Sequence, residues 1–356
     1  MRERTDVVGL GIAVCTADTV EFAEGFGWAD REAQIPFTAE TVQPVASISK
    51  TLIGICLLKA VEAGALELDG PVAAHLPFPL RHLRFPEEAI TFRHLATHTS
   101  GLKDTGAYDR SYLFAQPIPP LHEDLGFGLK RVLVAKAIKR YNANTPMPLE
   151  TFLRNLYVEG GEWYARSNFT RHRPGTKAEY SNNGAALAAF ALQHAVEMDY
   201  RAYVRQTVLK PLGLARSGWR RAEFPAGDVA ALYLSGRRLP DYELITYPDG
   251  GFLTCLRDLT ILLQEVMRGD TGEGTLLSAA SYRELLGGAP GGKGRAGLFW
   301  DVNEQMAGHT GGDPGVSTFA YFKRDGSRGL VILLNSSDWE ISGDALEAVM
   351  AITRKY

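Results

Sequence analysis

The sequence predicts an α+β fold: an antiparallel sheet flanked by helices, built from both termini of the chain, with a mostly helical lobe inserted between them. Three observations carry this. Residues 7 to 28 read as a hairpin, an apolar run and then Val20 to Glu24 with period-two alternation. From Ala296 onward strand patterns return at 298–300, 317–322 and 329–334. Between the two lie apolar helical stretches. The expected division places 1–46 and 240–356 in the sheet unit and 47–239 in the helical lobe.

Taken in order, the hairpin turns near Ala17 and Asp18, and Gly25, Gly27 and Pro36 mark the loop after it. The apolar stretch Leu52 to Leu58 reads as a buried helix with Ser47 at its N-terminal end and Gly64 as its C-cap. A short helical piece follows Pro71, and Phe92 to His98 forms another helical turn. Residues 103–173 are irregular: Pro117, Pro119 and Pro120 break them, Leu129 to Tyr141 is basic and helical, and Tyr157, Trp163, Tyr164 and Phe169 make them aromatic. Such a segment either lines a cleft or is a surface insertion. Helices are expected at Gly184 to Met198, at Tyr203 to Leu209 ended by Pro211-Leu212-Gly213, and at Asp258 to Met267. Asp338 to Tyr356 is expected to close the chain as an amphipathic helix.

Composition narrows the function classes. At 356 residues the chain can build a large core, and its 45% hydrophobic and 22% charged residues are those of a globular protein. A net charge of -3 without a Lys/Arg block gives no footprint for nucleic acid. No apolar run is long enough to span a membrane. Cys15, Cys56 and Cys255 each sit in an apolar run and read as buried thiols. Arg2, Glu3 and Arg4 ahead of Val7 to Cys15 faintly resemble a leader, but no small-x-small cleavage site follows and a first strand is the better reading. A cytoplasmic chain is expected, or a periplasmic or secreted one where a leader has been removed.

Three short patterns carry the candidate chemistry. In Ser47-Ile48-Ser49-Lys50 the serine and lysine lie three apart, on one helix face. A serine hydroxyl needs a base to become a nucleophile. Burial lowers an amine pKa, so an apolar setting is expected to let Lys50 serve as that base. A second Ser-x-x-Lys, Ser100 to Lys103, contains Gly101 and follows a turn, so it reads as a loop. Tyr180-Ser181-Asn182 precedes a helix: near cations the tyrosine can act as general base, and the Asn182 amide can both donate and accept. Alone, the same triplet suits an ordinary N-cap. His309-Thr310-Gly311-Gly312 precedes a turn and a strand, where glycines let a ligand approach the backbone. A glycine-rich turn with an incidental histidine has the same appearance. Gly-x-Ser-x-Gly, H-E-x-x-H and phosphate-loop patterns are absent, and Gly25-Phe26-Gly27 lacks the third glycine of a dinucleotide fingerprint. His94 and His98 share a helix face without the glutamate of a zinc motif. No cofactor and no metal are expected.

In this order, the three patterns resemble the motifs of the serine β-lactamase/penicillin-binding superfamily, in its class C-like branch. Phe92 to Leu102 is similar to the family's RHLLTHTSGL stretch, and Pro174-Gly175-Thr176, Pro211 to Leu214, Pro248 to Gly251 with Arg257-Asp258-Leu259, and Gly308 to Gly315 are similar to further landmarks. The likeness runs from about Gly9 to about Asn335. It implies a β-lactamase/transpeptidase-like fold with the active site between the lobes, and an acyl-enzyme on Ser47. It further implies proton work shared by Lys50 and Tyr180, an oxyanion held by the N–H groups of Ser47 and Gly312, and substrate positioned by Asn182, His309, Thr310 and Gly311.

Two departures bear on substrate. Typical β-lactamases of the family carry lysine where His309 stands, a fixed cation suited to the β-lactam carboxylate, whereas histidine is mostly neutral near pH 7. Family members also carry a helix before the first strand, where this chain has about six residues, so either a sheet face is less covered or the closing helix does more of that work. The expected activity is hydrolysis of a small ester, amide or peptide, as an esterase or D-amino-acid-type peptidase. The alternatives are a β-lactamase or D,D-carboxypeptidase, an acyltransferase, and a non-catalytic penicillin-binding module. Oligomeric state is left open.

Overall fold

The computed structural model describes residues 7–121, 129–287 and 296–337. Its principal sheet draws on both ends of the chain. The N-terminal strands are β1 (Gly9–Cys15), β2 (Val20–Asp30) and β3 (Ile35–Pro36). Short pairs outside the principal sheet follow in the middle of the chain: β4 (Gln43–Pro44) with β9 (Leu253–Thr254), β5 (Tyr112–Phe114) with β8 (Tyr242–Leu244), and β6 (Tyr233–Leu234) with β7 (Arg237–Arg238) and β14 (Ser336–Ser337). The C-terminal strands of the principal sheet are β10 (Asp301–Val302), β11 (Met306–Asp313), β12 (Val316–Lys323) and β13 (Gly329–Leu334). Its seven antiparallel strands run in the order β10-β11-β12-β13-β1-β2-β3. The two ends of the chain meet at β1 and β13, with Ile12 opposite Ile332.

The helices are α1 (Ser49–Glu62), α2 (Phe92–Ala96), α3 (Leu129–Tyr141), α4 (Leu149–Tyr157), α5 (Asn182–Ala195), α6 (Tyr200–Val204), α7 (Lys210–Leu212), α8 (Leu256–Thr271) and α9 (Ala279–Leu285). Alternation in β12 sends Thr318, Ala320 and Phe322 to one face and Phe319 and Tyr321 to the other. The first face joins the main core with α1, α5 and α8, through side chains such as Leu52, Leu187, Leu263 and Leu333. On the other face Phe319, Leu330 and Ile332 form a separate cluster with Ile12 and Val14. Every residue of α1 from Ser49 to Leu58 is buried, as a helix apolar all round requires. Gly54 makes this possible on one side, because a Cβ there would stand 2.1 Å from the Leu298 carbonyl oxygen.

Two expectations are corrected. Residues 298–300 are not a strand: Leu298 N–H donates to Leu285 O and Phe299 N–H to Ala96 O, so their backbone bonds go to helices, and Phe299 has φ of +58°. The second correction places Ser47 on a 3-10 turn, Ala46–Ile48, ahead of α1. The stop expected at Pro211-Leu212-Gly213 is observed: the chain runs from α6 through a π turn at Arg205–Leu209 into α7, where proline sits in the first turn and forfeits little, and Gly213, in the left-handed region at φ 68°, caps it. The expected closing helix, 338–356, lies outside the described residues. All three cysteines are free and buried, and burial pushes the Cys15 thiol up to about 11 and those of Cys56 and Cys255 to about 12. No helix among the described residues is long and apolar enough to cross a membrane.

Candidate active site

Ser47 is displayed by a strained turn. Ala46, before it, is held at φ 49°, a conformation that costs a non-glycine residue roughly 1–2 kcal/mol. Packing pins the turn there. Thr318 Oγ1 donates to Val45 O at 2.9 Å, and β11 closes on the turn at Gly311, where a Cβ would stand 2.3 Å from the same carbonyl oxygen.

Lys50 lies one turn further on and is fully buried. Its Nζ donates to Ser47 Oγ at 3.0 Å and to Asp249 O at 2.7 Å. Tyr180 arrives from the other side. Its Oη is 2.9 Å from Ser47 Oγ, and its ring centre is 5.1 Å from Lys50 Nζ. The three motif side chains therefore converge on one oxygen. The N-cap reading of the same triplet is observed at Ser181, which caps α5 by accepting from Gly184 N–H at 2.9 Å.

Asp104 fixes that triplet: it accepts from Ser181 Oγ at 2.9 Å, from Asn182 N–H at 2.7 Å and from Asn183 N–H at 3.1 Å. His98, left-handed at φ 56°, accepts from Ser181 N–H on Nδ1 at 3.2 Å and lays its ring 4.5 Å from that of Tyr180. Burial, with Lys50 and His309 nearby, pushes His98 down to about 3, so it is a neutral wedge. His94 serves the α2 capping box with Thr91, so the two histidines of the stretch have separate structural partners.

The charge on Lys50 is set by more than burial. Burial works against an ammonium, but Tyr180, Asp249 and Asp313 favour it and raise the amine above its usual value. Its counter-charges sit among tyrosines. Asp249 Oδ1 accepts from Tyr108 Oη at 2.9 Å, and Asp313 accepts from Tyr112 Oη. Burial pushes Asp249 up to about 7 and Asp313 to about 6.

His309 is buried, with its ring 6.5 Å from that of Tyr180. Its Nδ1 donates to Thr310 O at 2.5 Å. Burial pushes it below its ordinary value and Lys50 adds to this, so it is neutral at pH 7. Thr310 is half-buried on β11, while Gly312 is exposed and a Cβ there would meet nothing within 4 Å. The Asn182 side chain is half-buried at the start of α5. The second Ser-x-x-Lys is not a pair: Ser100 accepts from its own Leu102 N–H, and Lys103 faces Glu179 at 3.7 Å. Among the described residues no group of His, Cys, Asp and Glu is arranged to hold a metal ion.

Sequence reasoning missed Asp104, His98 as a support, and the two Tyr–Asp pairs. Asp104 had a usable signal, since it directly follows the set-aside lysine. The Tyr–Asp pairs had none, being separated by 141 and 201 residues. They also place the start of the irregular segment, Tyr108 and Tyr112, against the site.

A family model described as Beta-lactamase matches residues 1–354. The serine beta-lactamase-like protein LACTB, mitochondrial, of Homo sapiens is 36% identical over 292 residues, covering 73% of this chain and 53% of that protein. Protein flp of Staphylococcus aureus strain NCTC 8325 / PS 47 is 23% identical over 341 residues, covering 94% of this chain. The chain spans 60% of the length of that protein. Among solved structures, the octameric penicillin-binding protein homologue from Pyrococcus abyssi superposes with a TM-score of 0.70 at 24% identity, over 93% of this chain and 70% of that one.

Proposed function

The chain belongs to the β-lactamase family, and from that premise we propose that it is a serine hydrolase that cleaves small ester or amide bonds through an acyl-enzyme on Ser47. One observation carries the reading: Ser47 Oγ sits between Lys50 Nζ at 3.0 Å and Tyr180 Oη at 2.9 Å. Ser47 Oγ attacks the carbonyl carbon. Its proton passes to Tyr180 Oη, which hands a proton on to the leaving group, since a phenol can accept and donate at once. Lys50, held as an ammonium, supplies fixed positive charge beside the developing oxyanion and orients Ser47 Oγ. The N–H groups of Ser47 and Gly312 take the oxyanion, and Asn182, His309, Thr310 and Gly311 position the substrate. Water then enters by the reverse proton path and releases the acid. The same reading keeps the division into 1–46 with 240–356 and 47–239, with catalytic groups drawn from both.

His309 bears on the substrate. A neutral imidazole offers no fixed charge to a β-lactam carboxylate, so esters and D-aminoacyl amides are the expected substrates, and cephalosporins poor ones. A fluorophosphonate probe followed by peptide mass spectrometry tests the nucleophile: label on Ser47, lost in Ser47→Ala, is expected, and an unlabelled Ser47 refutes the reading. A panel of p-nitrophenyl esters, D-aminoacyl amides and a chromogenic cephalosporin tests the class; cephalosporin turnover faster than ester turnover overturns the role given to His309.

A further inference from the structure

An open groove of about 510 Å3 is lined by Arg84, Lys103, Arg166, Arg171, His172 and Glu179 among others, the last of these one residue before Tyr180. Four permanent cations face one carboxylate there, in a chain whose net charge is -3. The single carboxylate is engaged by Lys103 at 3.7 Å. Arg84, Arg166 and Arg171 have no acidic partner among the described residues, although most arginines in the structure are paired. Arg84 Nε is also shielded from solvent and donates to nothing described. Burial and the neighbouring Arg166 and Arg171 push the Arg84 guanidinium below its usual value. Like charges gathered in a concave site repel one another, and an entering anion relieves that repulsion.

Two of the segments carrying these side chains are hydrogen-bonded to each other and run on in the chain into the residues that hold Tyr180. Thr170 N–H donates to Gly101 O at 2.7 Å and Lys103 N–H to Asn168 O at 2.9 Å, which zips the segment of Lys103 to that of Arg166 and Arg171. Asp104, next to Lys103, holds the Tyr180 triplet through Ser181 and Asn182. Glu179, in the groove, immediately precedes Tyr180.

We propose that this groove is an anion subsite, where Arg84, Arg166 and Arg171 bind a phosphate or carboxylate group borne by a portion of the substrate that lies beyond the scissile bond. Guanidinium forks suit both anions, and one groove can hold two or more negative charges. The link to substrate rests on Ser47 being the nucleophile; the binding of anions does not.

The test uses the whole protein and the double variant Arg166→Ala/Arg171→Ala, both positions exposed and outside the Ser47 machinery. Isothermal titration with inorganic pyrophosphate, and separately with tricarballylate, is run at low and at physiological salt. The expected result is saturable binding to the wild type that weakens with salt and falls at least tenfold in the double variant. Turnover of neutral p-nitrophenyl acetate and the melting midpoint should stay the same. Binding of pyrophosphate alone assigns phosphate, and of tricarballylate alone carboxylate. Equal affinity in both proteins, or no binding to the wild type by either probe, overturns the proposal. Absence of ester turnover in the wild type, with its anion binding present and lost in the double variant, would instead count against Ser47, so the two failures are distinguishable.

Discussion

Replacing Asp249 by asparagine should stabilise the protein at alkaline pH while impairing it as a catalyst. Asp249 is fully buried, and its carboxyl is pushed up from 3.8 to about 7 by that burial, despite Lys50 beside it. Between those two values the folded protein keeps a proton that the unfolded chain has released. Stability therefore falls as pH rises from about 4 to about 7, and the whole penalty is present above the folded value. At about 1.4 kcal/mol per tenfold change in proton affinity, the shift corresponds to on the order of 4 kcal/mol. The amide of the Asp249→Asn variant cannot ionise and escapes the penalty. Two effects reduce the net gain. Tyr108 Oη keeps its partner only with the amide oxygen turned toward it, and Lys50 is left with Asp313 as its remaining carboxylate. The signature is thus a difference that grows with pH. Urea denaturation of both proteins at pH 5 and pH 8 should show the variant gaining at least about 1 kcal/mol relative to wild type across that interval. Ester turnover at pH 8 should drop about tenfold, because Lys50 is less firmly held as a cation. A carboxylate kept ionised chiefly by Lys50 would behave oppositely, with wild type gaining on the variant as pH rises. That outcome, or a difference constant with pH, would refute the reasoning.

Three other perturbations test other parts of the site and its support. Tyr180→Phe removes the hydroxyl 2.9 Å from Ser47 Oγ and should slow ester turnover by roughly 10²–10⁴-fold in stopped assays, with an unchanged melting midpoint since the residue is 47% exposed. Gly311→Ala drives a Cβ to within 2.3 Å of Val45 O, so it should lower both the melting midpoint and turnover, whereas Gly312→Ala, with open space around it, should leave the midpoint alone. Glu265 is buried and accepts from Thr275 N–H, Leu276 N–H and Tyr282 Oη, bonds that outweigh burial and hold its carboxyl below the usual range. Its contribution is therefore present above the unfolded value and lost as pH falls. Glu265→Ala should cost roughly 3 kcal/mol or more at pH 7 in urea denaturation, and less at pH 3.

What the sequence disclosed, and what it hid, divides by how far apart the interacting residues lie. Ser47 and Lys50 were legible because three residues of helix suffice to bring them together. The strands at 9–15 and 329–334 were legible because each is an apolar run of strand length, and β2 because its side chains alternate over Val20 to Glu24. Leu298, Phe299 and Trp300 misled for the same reason: an apolar run looks like a strand until it is known that its N–H groups go to α9 and α2. Tyr180 and His309 needed the family resemblance, since 133 residues separate Tyr180 from Ser47. The polar surroundings of Lys50 were hidden by the same limitation. Read from neighbours in sequence, Lys50 has only apolar residues beyond it, and burial alone argues for a neutral amine. The groups that oppose this are Tyr180 first and then carboxylates from a turn at 249 and a strand end at 313, where aspartate already has an ordinary local explanation. A proton assignment drawn from burial counts only the unfavourable half of the electrostatics. The other half is delivered by the topology, which folds β11 and the 249 turn onto the N-terminal end of α1. On the proposed mechanism that delivery leaves the proton-carrying role with Tyr180, so Tyr180→Phe and Asp249→Asn examine two sides of one assignment.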